Sequence, residues 1–402
     1  MSRRFIVAGV VLIAGIAAVW WFVRDDQAPS PGQPVAQPAV NVLDFGAQPD
    51  GGGDSSQAFT QALSAAAHRA AGPPGPSGAP LGIVVVPAGT YRLENVVFPS
   101  NVRMEVDAGA VIEVVKGGDG AAFVWQDGVT NVSLAGVGSS AAGKPDAAAG
   151  WNVDGSFTFD LDPAQTGTGA DARGLSVLWA KDFLVQNVVI RQGSSCTSCG
   201  TQYPNSNSAG ITLRSQPGSS EARPLIPRRG TLENVYTVSA PPGYGPVQFG
   251  SGVGIRVDGM YSQGGTALRL ETDAQKGRYS ILDRLTARRI ECSGGNAAVS
   301  LSPHDQVNGE VRIHGVTAVG CAYGVKVRDG CRGGCGGSFD AASRLADIRV
   351  TGGDDAQLMT HDGWRVGGSV LGVLDDARRY SVQVSGVSCT DVTCRLPTNP
   401  GG

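Results

Sequence analysis

The chain has 402 residues, of which 59 are glycine, 17% are charged and 6% are aromatic, and its net charge is −3. That balance excludes disorder driven by high net charge, and the length suffices to bury a substantial core. A small net charge without a run of Lys or Arg argues against a phosphate-tracking surface, so no nucleic-acid partner is expected.

At the N-terminus, Arg3 and Arg4 precede nineteen uncharged residues, Phe5 to Val23, followed by Arg24-Asp25-Asp26. As a helix that run spans about 28 Å, close to one bilayer core. A cleavable signal usually has a shorter apolar region, whereas here Trp20-Trp21-Phe22 sits at the far end like an interfacial belt. Residues 1–24 therefore read as a membrane anchor in preference to a cleaved signal segment. The preceding arginines hold the N-terminus in the cytoplasm and send the rest across the membrane. Residues 25–40 form a Pro-rich linker, an extended tether with four prolines between Gln27 and Pro38. From Asn41 onward glycine and β-branched residues are spread evenly, which predicts one elongated domain over 41–402. It is expected to be monomeric, on the periplasmic or extracellular face, tethered to the inner membrane by residues 5–23.

One helix is predicted, over Ser55 to Ala71, with Asp54 or Ser55 as N-cap. The remainder reads as short β-rich segments punctuated by Gly, Asn, Asp and Ser, beginning with Val84-Val85-Val86, Val96-Val97-Phe98, Val102 to Val106 and Val111 to Val115. Asn131-Val132, Asn187-Val188 and Asn234-Val235 recur in similar settings, an imperfect repeat in which the asparagines form polar stacks or turns. Ser262-Gln263-Gly264-Gly265, Cys292-Ser293-Gly294-Gly295 and Cys321-Ala322-Tyr323-Gly324 then open equivalent phrases, each about 30 residues after the last. A solenoid coil of three short strands needs about that many residues, and like residues recurring one coil apart favour a parallel β-helix over a sandwich or propeller. The fold class is therefore all-β, a right-handed parallel β-helix, with the helix capping the exposed edge of its first coil.

Eight cysteines fit an exported, disulfide-bonded chain. Cys196 and Cys199, Cys331 and Cys335, and Cys389 and Cys394 are close in sequence; Cys292 and Cys321 would stack on adjacent coils within disulfide reach. A zinc site is disfavoured, because none of the four histidines lies beside the Cys-x-x-Cys.

The phrase Val42-Leu43-Asp44-Phe45-Gly46-Ala47, with Asp50-Gly51, the helix, and Val85-Val86-Pro87-Ala88-Gly89-Thr90-Tyr91, resembles the pectin-lyase-like β-helix superfamily. That resemblance implies the fold and leaves the chemistry open.

In Leu268-Arg269-Leu270-Glu271-Thr272-Asp273 the leucines point inward, so Arg269, Glu271 and Asp273 share one outward row, expected to be exposed. Carboxylates two residues apart on one face repel unless one keeps a proton, which is how a general acid and a general base are made to differ. Cα atoms about 6.6 Å apart lean towards the carboxyl separation of inverting glycoside hydrolysis. Gln248 is placed one shortened coil before Glu271, and His304 one coil beyond the pair, with Lys326 and Arg328 flanking the same face. The bland alternative is a solvated charged row that deters edge pairing.

The phrases Pro242-Gly243-Tyr244-Gly245 with Gln248, Leu268 to Asp273, and His304 resemble the iota-carrageenases, β-helical glycoside hydrolases that cut a sulfated galactan by inversion. The resemblance implies Glu271 as general acid, Asp273 as the base activating water, Gln248 as a holder of that water or an ion, and His304 as substrate-binding. Arg269, Lys326 and Arg328 would meet the anionic polysaccharide. No cofactor is required on this reading, though structural Ca²⁺ or an active-site halide would be compatible.

Two other classes compete: a lyase using Arg269, His304 or Arg328 as base against a uronate glycan, and a noncatalytic glycan-binding β-helix. Asp160-Leu161-Asp162 repeats the acidic spacing and reads as a decorative strand face in preference to a calcium ligand set. His314 is expected to be a structural turn residue, His68 belongs to the helix and His361 to a loop.

Overall fold

Alternating apolar residues in segments of two to thirteen residues cannot bury their apolar face alone, and here they do so by stacking on one another as parallel strands. In the computed structural model the described residues are 39–70, 72–114, 120–138, 155–161, 172–192, 209–240, 243–272, 278–327, 336–352, 358–359, 365–366, 371–374 and 380–391. All of them belong to one unit, Ala36–Gly402. The anchor assigned to 1–24 and residues 25–38 of the linker assigned to 25–40 lie outside the described residues, as do Cys196, Cys199, Cys331, Cys335, Cys394, Asp162, Asp273, Arg328 and His361. Among the described residues no helix is long and apolar enough to cross a membrane.

Two large parallel sheets, one of eighteen strands and one of nine, make up a parallel β-helix among the described residues. In the nine-stranded sheet spatial order equals chain order from Val96–Val97 to Leu371–Leu374, so each strand pairs with those one coil earlier and later. Val177, Leu213, Phe249, Leu270, Leu301 and Val327 stand directly opposite one another on six successive coils. All six are at most 1% exposed. Each such side chain stabilises the fold by roughly 1.5–3 kcal/mol relative to exposure.

The chain turns its corners at two lines of left-handed residues. Asn187, Asn234, Gly259, Arg289, Gly315, Asp347 and Gly386 all have φ between 51° and 82° and fall at the same place on successive coils. Asn234 Nδ2 donates to Asn187 Oδ1 at 3.1 Å, which offsets the cost of that backbone conformation. Asn101, Asn131, Asp182, Arg229, Gly254 and Arg284 form a second line, with Asn131 Nδ2 donating to Asn101 Oδ1 at 3.0 Å. The asparagines are thus polar stacks at turns, as the sequence implies, but Asn131 stands at a different corner from Asn187 and Asn234.

The helix is Ser56–His68 with Ser55 as N-cap, three residues shorter at its C-terminus than expected; Arg69 caps it, shortly before the Pro73-Pro74 pair. The Ser55 side chain makes no cap bond; Asp54 Oδ1 instead accepts from Ser56 N (2.9 Å) and Ser56 Oγ (2.5 Å). Phe59 carries the capping contact, edge-on to Tyr91 at 5.4 Å and beside Phe123 at 6.2 Å, so the helix seals the first coils.

Cys292 and Cys321 are disulfide-bonded with Cα atoms 6.4 Å apart. The expected register beneath them is corrected, however. Ser262 pairs with Cys292 as the phrase spacing implies, but Cys292 pairs with Ala318 in place of Cys321, so the next coil closes earlier than the phrases suggest. Cys321 lies three residues beyond that partner, past Gly320, and the bridge runs across the corner.

Candidate active site

The nine-stranded sheet brings Gln248, Arg269, Glu271 and His304 together from three adjacent coils. Gln248 pairs directly with Arg269 and Glu271 with Ser302. The coil before Arg269 is therefore two residues shorter at this strand than the sequence count that set Gln248 against Glu271, and Gln248 reaches Glu271 diagonally. Its Nε2 donates to Glu271 Oε2 at 2.9 Å.

Arg269 is locked on three sides. Its Nε donates to Glu271 Oε2 at 2.5 Å, its Nη1 to the Gly243 carbonyl, and its guanidinium lies 4.4 Å from the centroid of Tyr244. The Gly243-Tyr244-Gly245 phrase folds this way because Gly243 adopts φ +88° and a Cβ on Gly245 would sit 2.1 Å from the Thr266 carbonyl oxygen. A larger residue at 245 would push this wall off the sheet.

His304 occupies a left-handed turn, φ 50°, that non-glycine residues rarely adopt. Thr272 Oγ1 donates to the Pro303 carbonyl at 2.8 Å, Gln306 N to the same carbonyl at 3.0 Å, and Gly337 N to the His304 carbonyl at 2.8 Å. So held, His304 Nε2 lies 3.2 Å from Glu271 Oε1. That is ion-pair distance, but neither ring nitrogen has an aligned hydrogen-bond partner among the described residues.

The side chains of Glu271, Arg269 and His304 are 17%, 12% and 11% exposed. For Arg269 and Glu271 the expectation of an exposed charged row is therefore corrected: both lie beneath the Gly243-Tyr244 wall and the 303–304 turn. Burial pushes the Glu271 carboxyl up, but the His304 ring and the Arg269 guanidinium outweigh it and hold it down at about 2. Glu271 is thus a carboxylate in the free protein.

Lys326 stands opposite Ser300, which itself stands opposite Arg269. It is buried, with Nζ 5.2 Å from the Tyr323 ring centroid. Asp273 and Arg328 lie outside the described residues, so the structure gives no carboxyl separation. Asp273 follows Thr272, whose N–H donates to the Ser302 carbonyl at 3.2 Å and fixes the strand end. Sequence reasoning missed Ser300 and Thr212; Thr212 pairs with Gln248, and its Oγ1 is buried without a hydrogen-bond partner among the described residues. Strand register was the signal that could have found both.

Asp160 does not decorate a surface. It is buried, pairs with Arg191, and stands opposite Glu113, whose carboxyl is pushed up by burial and then by Asp160. No group of three or more potential metal ligands occurs among the described residues.

The family model described as rhamnogalacturonase A/epimerase, pectate lyase-like, matches residues 39–222. An iota-carrageenase of Zobellia galactanivorans is 28% identical over 265 residues, covering 62% of this chain and 46% of the relative. An iota-carrageenase of Alteromonas macleodii is 27% identical over 297 residues, covering 72% of this chain and 52% of the relative. The chain spans about half the length of these curated relatives. Among solved structures, a 1,3-α-1,4-β-D-galactose-4-sulfate-3,6-anhydro-D-galactose-2-sulfate 4 galactohydrolase superposes with a TM-score of 0.67 at 20% identity, covering 92% of this chain and 94% of that one. An iota-carrageenase complexed to iota-carrageenan fragments gives 0.67 at 19% identity, covering 91% and 90%. The chain is therefore iota-carrageenase-like in sequence and shares the parallel β-helix fold of those enzymes.

Proposed function

We propose that this chain is a glycoside hydrolase that cuts a sulfated galactan of the carrageenan type with inversion at the anomeric carbon. The observation that carries the reading is the convergence of Gln248, Arg269 and His304 on the part-buried Glu271 carboxylate, in a chain 28% identical over 265 residues to an iota-carrageenase. Glu271 serves as general acid, Asp273 as the base that activates water, and Gln248 and His304 position water and sugar. Arg269, Lys326 and Arg328 meet the sulfate groups.

A free-state carboxylate is the wrong form for an acid, and the substrate supplies the remedy. A sulfate docking on Arg269 competes for the guanidinium and adds a negative charge beside Glu271, and both effects raise the Glu271 pKa in the complex. Protonation then accompanies binding, so KM rises with pH above the free-state pKa while kcat holds until the pKa of the complex is passed. No cofactor enters this chemistry. A halide would need N–H donors, which the second Nε2 hydrogen of Gln248 and the His304 Nδ1, without a hydrogen-bond partner among the described residues, would supply.

A lyase would need a free base; Arg269 is committed to Glu271, Gly243 and Tyr244, which leaves His304 and Arg328 to that reading. Residues 41–402 are the catalytic domain, working as a monomer outside the cytoplasm, with 1–24 as membrane anchor and 25–40 as tether. The test is product analysis on iota-carrageenan by NMR. Newly formed reducing ends of inverted configuration, abolished by Asp273→Asn, support the reading. Unsaturated ends, or full activity in Asp273→Asn, reject it.

A further inference from the structure

The other sheet carries a second charged surface with no part in the chemistry above. Between the two corner lines, Arg256, Thr286, Arg312 and Arg344 stand directly opposite one another on four successive coils. All four are exposed. At about 4.8 Å per coil the row is roughly 14 Å long. Beside it, two residues along the strands, runs Asp258, Arg288, His314 and Ala346. His314 is exposed on the strand Val311–Val319, which corrects its reading as a turn residue.

Arg288 and Arg289 are engaged by Asp258, and Arg312 by Glu310. Arg256 and Arg344, at the two ends of the row, make no ion pair with any described residue. Two of the row's three arginines thus carry charge that no described carboxylate neutralises, in a chain of net charge −3. The choice of residue is informative too, because every cation of the row is arginine. A guanidinium fork matches the oxygens of a sulfate bidentately, whereas lysine acts as a point charge. A rigid row whose arginines are fixed at coil spacings, interrupted by Thr286, also suits a polymer with charges along its length better than it suits a fluid lipid surface.

We infer that the Arg256–Thr286–Arg312–Arg344 row is a secondary binding surface for a sulfated polysaccharide chain, on a different sheet from Glu271. It would hold the enzyme on polymer without taking part in cleavage. The choice of ligand rests on the sulfated-galactan reading.

The test is affinity electrophoresis of the full chain carrying Glu271→Gln, in native gels with and without iota-carrageenan, before and after adding Arg256→Gln, Arg312→Gln and Arg344→Gln together. Circular dichroism verifies the fold. We expect about tenfold weaker retention in low salt from the triple substitution, with the difference shrinking above about 0.15 M, where the Debye length is about 8 Å. Arg344→Lys, which keeps the charge and removes the fork, should lose part of the retention. Unchanged retention in the triple variant overturns the inference. So does unchanged retention accompanied by lost cosedimentation with phosphatidylglycerol vesicles, which would assign the row to a membrane. If the parent chain cleaves no sulfated galactan yet the row still governs retention, the hydrolase reading fails and the inference stands. If cleavage proceeds while the triple substitution changes nothing, the inference alone fails.

Discussion

Two clusters in this molecule are built from nearly the same parts. On the nine-stranded sheet Glu271 faces Arg269 and His304; on the wide sheet Asp258 faces Arg288 and Arg289, with Arg289 Nε donating to Oδ1 at 2.5 Å. Both carboxyls are held below their ordinary range against the pull of burial. The difference lies in the cations. Arg288 and Arg289 are 58% and 54% exposed, while Arg269 is 12% exposed and sealed under a tyrosine ring. Water can readily replace the arginines in the first case and has little access to the guanidinium in the second. An ion pair with so little access to water is a poor way to gain stability, so its survival at Glu271 points to a use.

The largest expected effect tests that use. Glu271→Gln keeps the shape of the site and removes the titrating group, and it should lower kcat on iota-carrageenan by about 10²–10⁴-fold with the circular dichroism spectrum unchanged. Retained turnover would reduce Glu271 to a structural carboxylate and make the two clusters equivalent. Next comes Arg269→Met, which strands a buried carboxylate and removes the cover over the Gly243 carbonyl. A loss of about 3–5 kcal/mol in urea unfolding is expected. A loss below about 1 kcal/mol, the range of exposed pairs, would mean that water replaces Arg269 as easily as it replaces Arg288 and Arg289.

The sign of the pH dependence follows from the same pair. Glu271 titrates at about 2 in the folded chain against an ordinary value of 4.5, so its contribution to stability is complete above about 4.5 and is lost as pH falls towards 2. On the order of 3 kcal/mol should disappear across that window. The Glu271→Gln variant, followed by acid unfolding, should show a shallower decline there; a parallel decline would place the acid sensitivity elsewhere.

The coil length and the capping helix were legible because both depend on local pattern: alternating apolar residues, and an amphipathic run between Asp54 and the Gly72-Pro73 break. The disulfide between Cys292 and Cys321 was legible for the same reason. What the sequence hid was register. Gln248, Arg269, Ser300 and Lys326 stand opposite one another on successive coils of unequal length, the middle one the longest, so counting a constant period misplaces a partner by two or three residues. Long side chains forgave that error, since Gln248 and His304 still reach Glu271. Short ones did not, and Thr212 and Ser300 went unseen. Burial of Arg269 and Glu271 was hidden as well, because the wall over them comes from Gly243 and Tyr244, next to Gly245, where the Thr266 carbonyl one coil away leaves no room for a side chain.

The smallest effect is expected at the exposed cluster. Asp258→Asn keeps a hydrogen-bond acceptor for Arg288 and Arg289 and removes only the charge, and exposed pairs are worth about 0–1 kcal/mol. Urea unfolding should therefore move by less than about 1 kcal/mol, and less still in high salt. One contact could raise that figure: Arg289 sits at a left-handed corner and its Nη2 donates to Asn234 Oδ1 at 3.3 Å, so Asp258 helps aim a side chain that continues the corner line. A salt-independent loss above about 2 kcal/mol, more than an exposed pair supplies, would show that aim to matter more than charge. The exposed cluster would then be a scaffold of the coil, and what separates it from Glu271 would be its position on the corner and no longer its access to water.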